Sequence, residues 1–291
     1  MSTFTSSTAQ SVSTAPSTAL TNPNHEDPII SFTNMQNLFE AIDCVSGDIL
    51  IVINVSTKSF DEIEEQRIIR RRKIRWCRYE AGAQILLITI PTSIHEILHT
   101  QLYEEYIGQL PASGVPRRAW LSKAATYFHS NHPGGGGGEC DSTGGPKSQR
   151  LRSRDWPTLI IKAGVSESLN QLHADMKWWF AASNHDVKIV ILTKFNQQQS
   201  KIILGKWEEQ AETRLGATTT RRAATLQPVL LQTIEITRNT TTNPVSYNVT
   251  SGAMVLEFSL LFLRNPGPLE GDVVISVQFL QEYAELVWSQ D

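Results

Sequence analysis

A zinc-binding pattern is the first feature of this chain that could carry chemistry. The segment His95–His99 reads HExxH, in which two histidines on one face of a helix can hold zinc while the glutamate activates water. A longer metalloprotease pattern is not present, because Leu102 and Glu105 stand where a glycine and a third histidine are expected. The alternative is a structural helix whose histidines cover a sheet. An HExxH zinc peptidase is therefore retained only as an alternative function for this chain.

A second group of residues combines acidic and basic side chains after a run of five glycines at 134–138. Glu139 and Asp141 follow the glycines directly. Four basic residues come after them, namely Lys147, Arg150, Arg152 and Arg154. Carboxylates beside basic residues could bind a divalent metal and a phosphodiester together. An ordinary mixed-charge loop is the alternative interpretation.

A third group lies where a buried strand is predicted to meet a helix. The apolar run Leu159–Ile161 leads to Lys162 and Gly164, and the amphipathic segment Leu169–Phe180 follows a Ser-x-Ser pair. The end of such a strand is a usual place for a catalytic acid, yet Lys162 stands there. Asp175 lies on the predicted helix. Trp178 and Trp179 are expected to pack against the sheet rather than to stack on bases.

Composition restricts the classes of protein and compartment that fit the chain. The formal charge is -3 over 291 residues, so any nucleic-acid-binding surface must be local. Three widely spaced cysteines do not resemble a disulfide framework or a CxxC metal site. The sequence shows neither a signal peptide nor an apolar run of about 20 residues. We therefore expect an intracellular protein, cytoplasmic or nuclear, without a membrane partner.

The elements that must position these groups are read from apolar periodicity. A charged helix is expected at Phe60–Lys73, a hairpin at Arg75–Glu80 and Gln84–Ile90, and a helix at Ile94–Gln109 that is capped by Thr92 or Ser93. Strands are expected at Val187–Phe195 and Lys201–Trp207. The basic end of the charged helix suits either a solvated face or a nuclear-localisation or phosphate-contacting patch.

These elements predict a mixed α/β protein with a central sheet flanked by helices. We expect a disordered tail at 1–28 and an α/β core at 29–210, with a flexible Gly-rich insertion at 130–154. A linker at 211–228 then leads to a strand-helix extension at 229–291 that packs on the core. Its strands are expected near Val229–Thr237 and Met254–Phe258, and its helix at Val277–Trp288.

Taken in order, the motifs resemble a large group of uncharacterised fungal proteins whose core is similar to the restriction-endonuclease-like, PD-(D/E)XK superfamily. The resemblance covers about residues 35–288. The motifs that carry it are Arg78–Glu80, Leu86–Pro91, His95–His99, Gly138–Ser142, Trp156–Ser168, Leu172–Trp179, Val187–Leu192, Gly252–Phe258 and Leu263–Pro266. The resemblance implies a restriction-endonuclease-like central sheet.

The resemblance also implies a metal site. In such a fold an aspartate at the start of one strand and a glutamate near the end of the next hold Mg²⁺ or Mn²⁺, and a nearby lysine orients water or neutralises the phosphate. Asp141 would be the first acid, Glu139 its neighbour and Glu96 an accessory acid. Relatives of this pattern have glutamate at position 162, where this chain has Lys162, and a protonated lysine repels a metal. An alternative makes Lys162 the catalytic lysine, with Asp175 or Glu139 as the second carboxylate.

The sequence therefore predicts a nuclease-like protein that is catalytically degenerate and retained for binding a nucleic acid or a protein partner. An active Mg²⁺- or Mn²⁺-dependent phosphodiesterase with a rearranged site is the first alternative. Whether the chain is an enzyme depends largely on Lys162. Without activity no cofactor is expected. Edge strands could pair with those of a second copy of the chain, which would form a homodimer.

Overall fold

The fold is that of a computed structural model, which describes residues 28–70, 74–123, 126–132, 136–211 and 226–290. It is a mixed α/β structure, as the sequence predicts. The expected tail at 1–28, apart from its last residue, lies outside the described residues, as does most of the expected linker at 211–228. Within the described part of the chain, no helix is both long and apolar enough to cross a membrane.

The strands of the described ranges form three sheets. The six-stranded sheet has the order β1-β2-β4-β3-β7-β6. Its strands are β1 Ile29–Ser31, β2 Ile49–Ile53, β3 Arg75–Glu80, β4 Ile85–Thr89, β6 Tyr127–His129 and β7 Gly137–Glu139. The seven-stranded sheet has the order β13-β12-β11-β10-β9-β8-β5. Its strands are β5 Trp120–Ser122, β8 Ser142–Pro146, β9 Leu159–Gly164, β10 Ile189–Asn196, β11 Lys201–Ala211, β12 Leu226–Asn239 and β13 Ser246–Val249. The third sheet pairs β14 Met254–Leu256 with β15 Val273–Ile275.

Among the described residues, the α-helices are α1 Met35–Cys44, α2 Thr57–Arg70, α3 Ser93–Gln109, α4 Leu169–Ala182, α5 Phe258–Phe262 and α6 Val277–Trp288. Four of them begin where the sequence supplies a side-chain cap. Asn34 accepts from the amide of Asn37, Thr92 accepts from the amide of His95, Ser168 forms a capping box with Gln171, and Ser276 accepts from the amide of Phe279. These caps fix where α1, α3, α4 and α6 start.

The seven-stranded sheet has helices on both faces. Odd-numbered residues of β9 such as Ile161 pack with α3, α5 and α6, whereas Ile160 packs with α4. The six-stranded sheet has a separate core against α1 and α2. The opposite face of that sheet carries Cys77, which reaches Lys162 of the other sheet. The two sheets therefore meet at the end of β9.

Several predictions made from periodicity are confirmed. The hairpin of β3 and β4 is antiparallel, the helix after Thr92 ends at Gln109, and the last helix spans Val277–Trp288. The C-terminal segment packs on the core, and its elements are themselves part of that core. Its strand β12 belongs to the seven-stranded sheet, and α6 shares one hydrophobic cluster with α3. The expected strand at Met254–Phe258 is shorter, because α5 begins at Phe258.

The expected flexible insertion at 130–154 is wrong for its central part. Residues 137–139 form β7 and residues 142–146 form β8, and every residue of both strands is buried. The glycines are present there because the strands pack closely, and not because the segment is a flexible loop. A Cβ at Gly144 would lie 2.3 Å from Nε1 of Trp120, and one at Gly138 would lie 2.6 Å from the carbonyl of Cys77. Asp141 thus stands next to a buried strand and not in a loose loop.

Candidate functional site

The structure brings Asp141 and Lys162 together, as expected for adjacent antiparallel strands. Asp141 directly precedes β8, and Ser142 lies opposite Ile161 on β9. Oδ2 of Asp141 is 3.4 Å from Nζ of Lys162 and accepts a 2.9 Å hydrogen bond from the amide of Ala163. The carboxylate is therefore fixed by the backbone of the strand that carries the lysine.

A second carboxylate reaches the same lysine from α4. Oδ2 of Asp175 lies 3.6 Å from Nζ of Lys162 and accepts a 3.1 Å hydrogen bond from Nε1 of Trp179. The strand β3 of the other sheet completes the surroundings. Sγ of Cys77 is 3.6 Å from Nζ of Lys162, and Nη1 of Arg78 is 3.8 Å from Oδ1 of Asp175. We call Cys77, Arg78, Asp141, Lys162 and Asp175 the buried charge cluster.

The remaining oxygen of Asp141 is also engaged. Nη1 of Arg75 donates to Oδ1 of Asp141 at 3.2 Å, and Nη2 of the same guanidinium lies 2.9 Å from Oε1 of Glu96. Arg75 thus connects the buried charge cluster to the first turn of α3. Both oxygens of Asp141 are consequently held by donors, and two of these donors are cations.

The HExxH segment lies on α3, as predicted, with both histidines about 1% exposed. Nε2 of His95 is 3.8 Å from Oδ2 of Asp141, and Nδ1 of His99 is 2.8 Å from Oγ of Ser142. The two histidines, together with Arg75, hold the pKa of Glu96 well below its usual range. Glu96 is therefore an ionised acid beside Asp141, at the edge of the site.

Glu139 is not brought to the other predicted ligands. Its carboxylate forms a bidentate pair with Arg67 of α2 at 2.7 and 2.9 Å, and it accepts a 3.2 Å hydrogen bond from the amide of Trp76. The three predicted metal ligands therefore do not lie at one site. Asp141 and Asp175 meet around Lys162, whereas Glu139 ties β7 to the six-stranded sheet and its helix.

Burial and charge decide the ionisation of the cluster. Burial alone would raise the pKa of Asp141, but Lys162, the two histidines and Arg75 lower it far below its usual range. Burial would lower the pKa of Lys162, but Asp141, Cys77 and Asp175 raise it well above its usual value. Burial raises the pKa of Asp175 despite Lys162 and Arg78. The central ion pair is thus Lys162 with Asp141.

The residues present do not fit a divalent metal at Asp141. Lys162 occupies the position of the expected acidic ligand, and its ammonium is charged. Arg75 supplies a second positive group within hydrogen-bonding distance of the other oxygen. A Mg²⁺ or Mn²⁺ ion bound to Asp141 would meet both cations at close range in a site with little solvent to screen them. The geometry is that of an internal ion-pair network.

Glu167, between β9 and α4, is a further buried acid of the site, only 4% exposed. Its Oε1 has no hydrogen-bond partner among the described residues, and burial raises its pKa to about 8. The folded protein therefore holds a proton there that the unfolded chain, with an ordinary carboxyl pKa near 4.5, releases. The stability that this group contributes is present at low pH and is lost as pH rises toward 8.

We expect Glu167→Gln to remove this pH dependence. Between pH 5 and 8 the unfolding free energy of the wild type should fall relative to that of the variant, by about 1.4 kcal/mol per pH unit at most. Urea unfolding at several pH values measures the difference. Glu104→Gln, at an exposed position of α3, is the control and should follow the wild type. Parallel curves for the wild type and Glu167→Gln would contradict this assignment.

Asp48, just before β2, positions the end of β9 from the other sheet. Its carboxylate accepts hydrogen bonds from the successive amides of Val165 and Ser166 at 2.9 and 2.7 Å, while it is only 2% exposed. Its own amide donates to Oγ of Ser166 at 3.3 Å. This contact fixes the turn between Lys162 and α4, and hence the approach of Asp175.

Basic residues lie near both ends of the edge strand β5, and we call them the basic strip. Its members are exposed cations with no ion pair to any residue that the structure describes, namely Arg117, Arg118, Lys147, Arg152 and Arg154. The amide of Lys147 donates to the carbonyl of Ala119 at 2.8 Å, and Nζ of Lys123 donates to the carbonyl of Arg152 at 2.7 Å. These bonds hold the segment 147–155 beside β5. Arg150 differs, since it pairs with Asp186.

Sequence reasoning missed Arg75, Cys77 and Asp48 as parts of the site. One signal was available for Arg75. It stands with Arg78 in the strand Arg75–Glu80, whose other residues include Trp76 and Tyr79, and a charged residue in an apolar strand requires a buried partner. Nothing in the sequence indicated that this partner would be Asp141, because the two residues are 66 positions apart in the chain.

The sequence matches no protein-family model and no curated protein. Arguments about function therefore depend on the geometry given above.

Proposed function

We propose that this chain is a nuclease-like protein with a disabled catalytic centre, which binds the backbone of a nucleic acid and leaves it intact. The core is proposed to be restriction-endonuclease-like. Three features support that relationship: Asp141 stands at the start of β8, Lys162 lies near the end of the adjacent strand β9, and α4 connects β9 to its parallel neighbour β10.

The proposed loss of catalysis rests on one observation, namely that both carboxylate oxygens of Asp141 are already occupied by hydrogen-bond donors. Lys162 and the amide of Ala163 hold one of its oxygens, and Arg75 holds the other. Metal-dependent cleavage needs carboxylate oxygens that are free to bind the metal and a phosphate that can approach it. Asp141, Lys162 and Asp175 are 4%, 1% and 2% exposed, so neither requirement is met.

Binding is supported by the basic strip. A chain with a formal charge of -3 nevertheless presents, near the ends of β5, five cations that have no ion pair with any residue described by the structure. Arginine and lysine side chains that lack acidic partners are free to neutralise phosphates and release counterions. Lys147 follows the end of β8 opposite Asp141, so a backbone bound at Lys147 would lie away from the buried charge cluster.

Fluorescence anisotropy with labelled single-stranded DNA, double-stranded DNA and RNA at several salt concentrations tests this proposal. We expect affinity to fall as salt rises, and the double variant Arg152→Ala/Arg154→Ala should reduce the slope by about 0.7–0.9 per residue removed. Lys58→Ala/Lys177→Ala removes the same charge from two exposed positions elsewhere and should keep the wild-type slope. Equal slopes in both double variants, or no binding by the wild type, would contradict the proposal.

An active phosphodiesterase is the second candidate, and one observation favours it. Asp141 and Asp175 both lie within 3.6 Å of the ammonium of Lys162, so two carboxylates and a lysine do converge. The strand β3 covers this convergence with Cys77 and Arg78, and substrate could reach it only if the six-stranded sheet moved. Intact DNA recovered from the binding assay after incubation with Mn²⁺ would remove this candidate.

A further inference from the structure

The first turns of α3 collect groups that could bind a metal, apart from the buried charge cluster. His95, Glu96 and His99 each offer one ligand atom, and these three atoms lie within 4.8 Å of one another. Both histidines are buried, whereas the side chain of Glu96 is 38% exposed. The group is therefore reachable from one side only, through Glu96.

Two contacts compete for Nε2 of His99. Nη1 of Arg75, which can only donate, lies 3.1 Å away, and Oε1 of the ionised Glu96, which can only accept, lies 3.4 Å away. The shorter contact favours the tautomer in which Nε2 accepts and Nδ1 donates to Oγ of Ser142 at 2.8 Å. His99 thus presents a lone pair toward Arg75, and Ser142 supports the ring from behind, as outer partners of metal-binding histidines do.

His95 is the second, independent observation. Its Nδ1 has no hydrogen-bond partner among the described residues although the residue is only 1% exposed. That nitrogen lies 3.6 Å from Oε1 of Glu96, and the other ring nitrogen lies 3.8 Å from Oδ2 of Asp141. A buried unpaired nitrogen is costly unless something else binds it. Nδ1 of His95 and Nε2 of His99 face the same oxygen, Oε1 of Glu96. The distance from Nε2 of His99 to that oxygen is 3.4 Å.

Arg75 already brings positive charge to this position. Its Nη2 is 2.9 Å from Oε1 of Glu96, and its Nη1 contacts both His99 and Asp141. The ligands that hold this guanidinium are an imidazole lone pair and carboxylate oxygens, which are also ligands for zinc. The side chain is 19% exposed, so it has a route to solvent.

We propose that His95 Nδ1, Glu96 and His99 Nε2 form a site for a divalent transition metal, zinc in the first instance, which displaces the guanidinium of Arg75. Asp141 and Ser142 would then orient the two imidazoles from their outer nitrogens. The site goes beyond the proposed function, since it needs neither a nucleic acid nor the basic strip.

Titration of the metal-stripped, untagged full chain with Zn²⁺ by calorimetry tests the site, and Co²⁺ absorption in the visible range reports tetrahedral coordination. We expect one zinc per chain, no binding by His99→Ala, and tighter binding by Arg75→Met, by about tenfold or more, because the competing cation is removed. Ser142→Ala should weaken binding about tenfold. His129→Ala, at an exposed histidine elsewhere, should bind as the wild type does.

If circular dichroism shows that His99→Ala is unfolded, Glu96→Gln and Ser142→Ala decide the matter. Weakening by both supports the site, and wild-type affinity in both overturns it. Absence of zinc binding by the wild type overturns it as well. Binding by Arg75→Met that is no tighter than that of the wild type would overturn the displacement of Arg75.

Discussion

Lys162→Met is expected to destabilise the protein by about 3–5 kcal/mol, the range found when one partner of a buried ion pair is removed. The substitution keeps much of the volume of the side chain but removes the nearest cation from Asp141, with Arg75 as its remaining close positive partner. In the wild type Asp141 is 4% exposed and has a pKa far below its usual range, for which Lys162 is the largest favourable cause. Urea unfolding followed by tryptophan fluorescence measures the change.

Two further variants make this result specific. Lys177→Met removes an exposed lysine from α4 and should change stability by less than about 0.5 kcal/mol. Lys162→Met combined with Asp141→Asn should recover part of the loss, since the uncompensated charge disappears and the two residues are in contact. A loss below 1 kcal/mol for Lys162→Met, or equal losses in the single and double variants, would contradict the central role of this ion pair.

Lys162→Glu should couple stability to metal. Without metal this substitution places a third acid beside Asp141 and Asp175, and we expect it to be less stable than Lys162→Met. Mn²⁺ should raise the melting temperature of Lys162→Glu, because an ion that binds only the folded state stabilises it. The rise in melting temperature should be larger for Lys162→Glu than for the wild type at the same Mn²⁺ concentration, and equal rises would contradict the coupling.

Asp48→Ala is expected to cost about 3 kcal/mol, because it leaves two partly buried amides without the charged acceptor that both now use. Asp48 is the link between the six-stranded sheet and the turn after β9, so α4 and Asp175 should lose part of their support. Hydrogen exchange of the amides of Val165 and Ser166 should accelerate more than exchange within β11. Chemical denaturation gives the overall loss.

Asp48→Asn and Asp61→Ala provide the comparison. Asparagine keeps one acceptor oxygen and should cost about half as much as alanine. Asp61 is exposed on α2, and its replacement should have little effect. If Asp48→Ala lowers the unfolding free energy no more than Asp61→Ala does, the hydrogen bonds from the amides of Val165 and Ser166 to Asp48 are not a structural link.

Elements with strong local signals were predicted closely from the sequence. The apolar positions of α3 recur every four residues, and the side chain of Thr92 marks its start, so both ends were found. The same holds for α4 and α6, whose serine caps precede amphipathic runs. The approach of Asp141 to Lys162 was expected only from the family resemblance, because the composition around Asp141 indicated a flexible loop rather than the start of a strand.

Features that depend on contact between the two sheets were not predictable. The glycines at 137 and 138 indicated a mobile loop, whereas they pack against Tyr127 and the backbone of Cys77. Glu139 looked like a metal ligand because it is close to Asp141 in sequence, but Arg67 lies 72 residues away and holds it. Local patterns contain no information about such partners, which only tertiary packing brings together.

One cleavage assay tests the central claim, that Asp141 is held by cations in place of a metal. Plasmid and single-stranded DNA would be incubated in Mn²⁺ with the wild type, Asp141→Ala and Lys162→Glu, each shown to be folded. Cleavage gained by Lys162→Glu would identify the lysine as the disabling change. The account predicts that the wild type leaves both substrates uncut, and cleavage by the wild type that is lost in Asp141→Ala would contradict it.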